Sequence, residues 1–425
     1  MNNSPKRIHD QIFWYSSIAI AFFLPVSGKV VPPVIGIMIL NWLIDGRFIR
    51  NFTLLFSEKQ RGWTLSFASF YLLYLAGLLY TTNFDYGWFD LEVKFSLFIF
   101  PLIFATNGWP LFSERQTRYI LWAFVAGCLA GTFMLLGHAG MNKFSFGIPN
   151  SFYYMKLAWF FHTSYLSMYY NFAVAFLILM LFTGKNMKSW RPGVVLAVTL
   201  FLVHMIFLLS SKAGIIILGI NTMLLSGYAF IRLKRVRLAG TILAAGIVIF
   251  GVEYFVTPEA FSRMSKAEEV VTNKAGLRIH AESNADRMAV WFTAREIIKN
   301  NLIFGVGTGD VKDALMEGYR KHNFIPALEH KFNAHSQYLQ TFITLGLVGF
   351  LLLLATLVFP AVRALRMKQD LYLIFLVIFA LNILFESMLE IQQGVIFYAF
   401  FNMVLFTSGR GGVPEPAPSR KVSSI

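Results

Sequence analysis

The sequence predicts an all-α, polytopic membrane protein of about 12 transmembrane helices with one large helical loop. Three observations predict it: an apolar composition, apolar runs of membrane-spanning length, and one-sided basic residues in the connecting segments. Of the 425 residues, 56% are hydrophobic and only 14% charged, whereas a soluble domain carries about 25% charged residues. Mean hydropathy is +0.59. The apolar runs recur at about 20 residues, long enough to cross ~30 Å of hydrocarbon as helices. Aromatic residues reach 17%, with 45 Phe, a content suited to lipid-facing surfaces and interfacial belts.

In chain order, the runs predict helices near 12–28, 30–45, 63–80, 89–106, 118–138, 164–183, 193–211, 213–231, 238–256, 335–358, 371–388 and 392–408. The first run lacks a small-residue cleavage motif and reads as a retained helix. The single cysteine, Cys128, excludes an intrachain disulfide framework and argues against a Cys-rich metal site.

A net charge of +15 would suggest nucleic acid in a soluble protein, but its distribution gives another reading. With the N-terminus inside, the inner segments hold 21 of the 37 basic residues. Only Lys29, Lys94, Lys143, Lys156 and Lys212 fall in the short outer segments and outer helix ends. The long loop carries the other 11, balanced by 10 acidic residues. Positive charge in short loops fixes orientation, so the basicity reads as topology, with both termini cytoplasmic and the loop outside. The chain divides into residues 1–256 with nine helices, the outer loop 257–334, residues 335–408 with three helices, and a Gly/Pro/Ser-rich tail at 409–425 expected to be disordered.

A loop of that length should have structure of its own. Its clearest helix is Asp286 to Asn300, with Met288, Trp291, Ala294 and Ile298 on one face and Ser283 or Asn284 as the cap. Gly305-Val-Gly-Thr-Gly309 then breaks the chain. It superficially resembles a phosphate loop, but no strand precedes it and a helix-terminating turn fits better.

Three cationic or titratable positions fall on the outer side. Lys212, in Ser210-Ser-Lys-Ala-Gly214, interrupts an apolar run from Val194 to Ile231 and marks an outer hairpin. A charge there is either a snorkelling interfacial residue or a functional one. Arg287 begins the loop helix, with Trp291 one turn on, either on a solvated face or in a site. His335, in Asn333-Ala-His-Ser-Gln-Tyr338, stands at the outer start of a long apolar helix. Helix N-termini favour anions, and a neutral imidazole there can accept a proton. The alternative is an interfacial His satisfied by a nearby carbonyl. Glu386 and Glu390, one turn apart at the end of the eleventh helix, orient a helix or bind a sugar hydroxyl. His162, His280 and His330 show no metal-ligand spacing.

The segment from Asn333 through Gly346 to Gly349 resembles the signature of the O-antigen ligase and polymerase superfamily: a His, then Ser, then Leu, and a Gly-x-x-Gly in the same helix. Asp286-Arg-Met-Ala-Val-Trp291 resembles that family's Arg-x-x-x-Trp helix, and Asn301 to Gly309 its Gly-rich turn. Ser210-Ser-Lys-Ala-Gly214 stands where the family has Ser-Arg-Gly, and His162-Thr-Ser-Tyr165 resembles a His-x-x-Tyr element. The resemblance covers roughly residues 160–405. Two departures are Lys212 in place of Arg, which loses the bidentate contact to phosphate, and Ala213 in place of Gly.

The resemblance implies a GT-C-like fold in the bacterial inner membrane, with the loop and active site periplasmic. It implies a metal-independent, inverting glycosyltransferase that needs no cofactor. A glycan passes from undecaprenyl diphosphate to an acceptor sugar hydroxyl, with ligation to lipid A-core favoured and polymerisation of repeat units the alternative. His335, Arg287 and Lys212 are the expected catalytic residues. Lys212, Arg287, Trp291, His162, Tyr165, Gln337 and Glu386 are the expected substrate-binding residues, with no metal ligands. Partners are the lipid-linked donor, the acceptor and membrane lipid, with no nucleic acid. A flippase or transporter would also be polytopic, but should place its charges near the midplane of several helices rather than at one face.

Overall fold

The computed structural model describes residues 5–51, 53, 55, 59–107, 111–183, 192–262 and 284–408. The expected tail, Ser283, His280 and the loop segment 263–283 lie outside them. The described residues contain helices and turns and no strand. The helices are α1 (Pro5–Phe23), α2 (Val31–Asp45), α3 (Arg47–Asn51), α4 (Lys59–Ser66), α5 (Ser69–Ala76), α6 (Phe84–Lys94), α7 (Ser96–Asn107) and α8 (Glu114–Phe144). They continue as α9 (Tyr154–Leu157), α10 (Thr163–Thr183), α11 (Pro192–Leu208), α12 (Lys212–Ile231), α13 (Val236–Val256), α14 (Asn284–Asn300), α15 (Val311–Lys321) and α16 (Ile325–Glu329). The last three are α17 (Gln337–Arg366), α18 (Asp370–Phe385) and α19 (Gln392–Thr407).

Six helical spans among the described residues are long and apolar enough to cross a membrane: Arg61–Tyr80, Glu114–Phe144, Thr163–Phe182, Lys212–Ile231, Val236–Val256 and Gln337–Arg366. With its several apolar helices the chain is a multi-pass membrane protein. The expected dozen differs for a geometric reason. Val31–Asp45, Ser96–Asn107, Pro192–Leu208 and Asp370–Phe385 are apolar but shorter, and at ~1.5 Å per residue they fall short of the hydrocarbon thickness. The run expected at 89–106 is divided at Phe95 into α6 and α7, whereas the one at 63–80 keeps its spanning length across a turn at residues 67–68 between α4 and α5.

α10 is the hub, buried along most of its length and packed against α11, α12, α18 and α8. α13 lies at the periphery on α12 and exposes Ile247, Val248, Val252 and Phe255. Exposed apolar side chains of this extent indicate a lipid-facing surface. Close approach at the centre requires a missing side chain, since a Cβ on Gly214 of α12 would lie 2.4 Å from Ser167 Cβ on α10. Asn171 locks that contact by donating Nδ2 to the Gly214 carbonyl at 3.1 Å.

α17 is broken at Gly346, where φ is +64°. A break in a spanning helix strands backbone groups that lipid cannot satisfy. The Gly-rich turn satisfies them here. Val306 and Gly307 N–H donate to the Ile343 and Thr344 carbonyls at 2.9 and 3.0 Å, and Leu347 N–H donates to the Leu302 carbonyl at 2.8 Å. Gly305 and Gly346 stand back to back, so a Cβ on either would meet the other segment's backbone within 2.5 Å. The far side of the turn docks on the link between α5 and α6. Thr308 Oγ1 donates to the Tyr74 carbonyl at 2.6 Å, and Asp310 accepts from the Asn83 N–H at 2.8 Å. Gly305–Gly309 is therefore a structural joint.

Candidate functional site

Lys212 is placed by a tight hairpin. α11 ends at Leu208, and Ser210 takes a left-handed backbone (φ +50°) that reverses the chain. Ser211 then caps α12 by accepting from the Gly214 N–H at 3.2 Å, as a serine N-cap does. Lys212 is thus the first residue of α12, at the mouth of the bundle. His162 lies just before α10, its Nδ1 3.4 Å from the Ser164 N–H and its ring 6.0 Å from that of Tyr165.

The loop helix α14 does not hang free. Val290 and Ala294 are fully buried against Val311, Leu315, Tyr319 and Ala327, and this small core rests on Ile343 of α17. The face read from helical spacing is not the one that packs. Met288 and Trp291, predicted to share a face with Ala294, are exposed by 63% and 44%, and the buried face carries Val290, Thr293 and Ala294 instead. The reason is the site, because Met288 and Trp291 line an open cleft together with Arg287.

His335 precedes the N-cap Ser336 rather than occupying the first turn of α17. Its own N–H donates to Asn333 Oδ1 at 3.0 Å, which holds a left-handed backbone at φ +47°. Its Nδ1 is buried without a hydrogen-bond partner among the described residues, and Glu386 Oε1 lies 3.5 Å from it. Glu386 lies just past α18, in extended backbone. Burial alone would raise its carboxyl. The neighbouring His335 imidazole, then the charges of His162 and Arg287, outweigh this and hold it below the ordinary carboxylate range.

The two glutamates expected to share a helix face do not share one. α18 ends at Phe385 and a tight turn at Met388–Glu390 follows, so Glu386 faces His335 while Glu390 turns inward to Lys94 at 3.2 Å. Gln337 is fully buried, away from the cleft lining. Its Nε2 donates to Glu390 Oε1 at 3.0 Å and its Oε1 accepts from the Leu389 N–H at 2.7 Å. Tyr165 is also buried, and its hydroxyl reaches the Ser387 carbonyl at 3.4 Å. Both residues hold the 386–391 turn from behind.

The structure brings Lys212, Arg287, Trp291 and His162 to the walls of one cleft of about 390 Å³, floored in part by Ser211 and Phe385. His335 and Glu386 adjoin it at Phe385. Tyr154 and Ser210, both lining it, and His335 beside it all have left-handed backbones. Non-glycine residues pay about 1–3 kcal/mol for such conformations, which cluster at functional sites. Two cations, two imidazoles and one carboxylate around an open cleft can hold a phosphorylated ligand beside a proton acceptor. Of this group, the sequence reading missed the pairing of His335 with Glu386. The only signal was an acidic residue at the end of an apolar run.

A family model described as O-antigen ligase matches residues 197–354. The matched segment contains Lys212, Arg287, Trp291 and His335, and stops short of His162 and Glu386. Comparison with curated proteins gives no match. With the motifs that carry the resemblance, the match supports placing this chain in the O-antigen ligase superfamily, on the strength of its residues 197–354.

Proposed function

We propose that this chain is a glycosyltransferase of the inner membrane that moves a glycan from undecaprenyl diphosphate to an acceptor sugar hydroxyl. In this reading the acceptor is lipid A-core, the cleft faces the periplasm, both termini are cytoplasmic, and the transfer inverts the anomeric carbon without a metal. The observation that carries it is the cleft shared by Lys212, Arg287, Trp291 and His162, with His335 and Glu386 at its edge.

The chemistry follows from charge. As the bond between the anomeric carbon and the diphosphate oxygen breaks, negative charge develops on the leaving diphosphate. Fixed, preorganised cations stabilise it more than water would. Lys212 and Arg287 supply them. The acceptor oxygen forms the new bond on the opposite face of the sugar and gives up its proton to His335. Glu386 then stabilises the imidazolium and keeps the ring oriented. Trp291 offers an exposed aromatic face for a sugar ring.

Purified protein, a polyprenyl-diphosphate-linked glycan and two acceptors, lipid A-core and a free repeat unit on lipid carrier, make the test. Transfer to lipid A-core with chelator present supports the reading. Transfer only to the repeat unit would make the chain a polymerase. Absence of transfer to either would remove the assignment.

A further inference from the structure

Away from the cleft, three ionisable residues are buried together. Lys94, at the end of α6, has no exposed surface. Its ammonium pairs with Asp90 one turn back and with Glu390 Oε1 at 3.2 Å, and it lies 4.8 Å from the centre of the Tyr74 ring. Ion pairs of this kind contribute little net stability, because desolvation offsets the attraction. Breaking one by removing a single partner is costly. Such a group is worth keeping where it fixes one geometry.

The geometry it fixes is that of the 386–391 turn. Glu390 receives Lys94 on one side and the Gln337 amide on the other, both at Oε1. Gln337 also accepts from the Leu389 N–H, and Tyr165 reaches the Ser387 carbonyl. One end of this turn carries Glu386, the partner of His335. The other partner elements are fixed too, since Gln337 begins the helix that His335 precedes.

We infer that Asp90 and Lys94, from the N-terminal third of the chain, form with Glu390 of the turn a buried strut that positions Glu386 against His335. The inference rests on the transfer reading above only for its kinetic consequence. Lys94 and Glu390 are positioning residues, since neither lines the cleft.

Glu390→Leu and Glu390→Gln separate this from a purely structural role. Leucine cuts the link to Gln337 while Asp90 still neutralises Lys94, so the buried ammonium is not left alone. Glutamine retains an acceptor for both Lys94 and Gln337. The strut requires Glu390→Leu to lower kcat about 10–100-fold, the scale of a small misplacement, with donor KM within about twofold and melting close to wild type. Glu390→Gln should stay within about threefold of wild type. Hydrogen exchange supplies a readout independent of turnover: residues 386–391 should lose protection in Glu390→Leu while α14 keeps it. If Glu390→Leu fails to fold, Gln337→Met cuts the same link with the three charges intact and is read the same way. Folded variants with wild-type kcat and unchanged protection of the turn would overturn the inference. Loss of protection at 386–391 in Glu390→Leu, together with a wild-type protein that transfers no glycan, would leave the strut standing and remove the function.

Discussion

Nδ1 of His335 lies 3.5 Å from Oε1 of Glu386, although 50 residues and two helices separate them along the chain. Glu386→Gln should therefore lower transfer by about 100-fold or more, the scale of a lost acid–base contribution. Steady-state kinetics on the purified variant check this, and wild-type turnover would detach Glu386 from the reaction.

The same pair has a pH signature. The folded Glu386 carboxyl titrates below its ordinary range. Its contribution to stability is thus present above the ordinary carboxylate pKa and disappears as pH falls through the lowered folded value. Thermal melts of wild type and Glu386→Gln should differ most near neutrality and converge under strongly acidic conditions. A gap that widens on acidification would show the opposite linkage.

Lys212 stands where the resembling family has Arg. If its role is to supply charge to a diphosphate, Lys212→Met should lose about 3 kcal/mol of transition-state stabilisation, comparable to removing one preorganised donor. Lys212→Arg should retain activity and add bidentate capacity. Normal transfer by Lys212→Met would reduce the residue to an interfacial anchor.

Gly346→Ala should destabilise the protein strongly. A backbone at φ +64° and ψ −158° is essentially glycine-only and costs a side chain about 1–3 kcal/mol, and the new Cβ would lie 2.3 Å from the Ile303 backbone. The mirror substitution Gly305→Ala meets the Thr344 backbone at 2.5 Å. Melting temperatures in detergent measure both. Unchanged values would mean that the joint between the turn and α17 is not as tight as the hydrogen bonds imply.

Orientation is open to direct measurement. In a Cys128→Ser background, a cysteine at exposed Arg320 in the loop should react with an impermeant thiol reagent on intact spheroplasts. One at exposed Arg235, between α12 and α13, should be spared. The reverse pattern would invert the proposed topology.

The sequence by itself determined the class of molecule and most of its helices. Apolar runs are local, and in a membrane each run must satisfy its own backbone as a helix whatever its neighbours do. It also marked Lys212 and His335, because a charge or imidazole at the edge of an apolar run stands out without any knowledge of contacts, and it marked Arg287 and Trp291 through their resemblance to an Arg-x-x-x-Trp helix. What only the tertiary structure decided was which faces meet. Periodicity put Met288 and Trp291 on one face of α14 with Ala294, but a helix with apolar residues on several faces is assigned its buried side by its partners, here Leu315 and Tyr319. The run ending near Glu386 and Glu390 read as one helix, yet it stops at Phe385 and sends the two carboxylates in opposite directions. Gln337 stood among the substrate-binding residues that the resemblance implies, and it became a buried clamp because Glu390 and the Leu389 N–H were there to satisfy it. Each of these outcomes depends on a partner more than 15 residues away, and the hydropathy of a segment carries no record of such a partner.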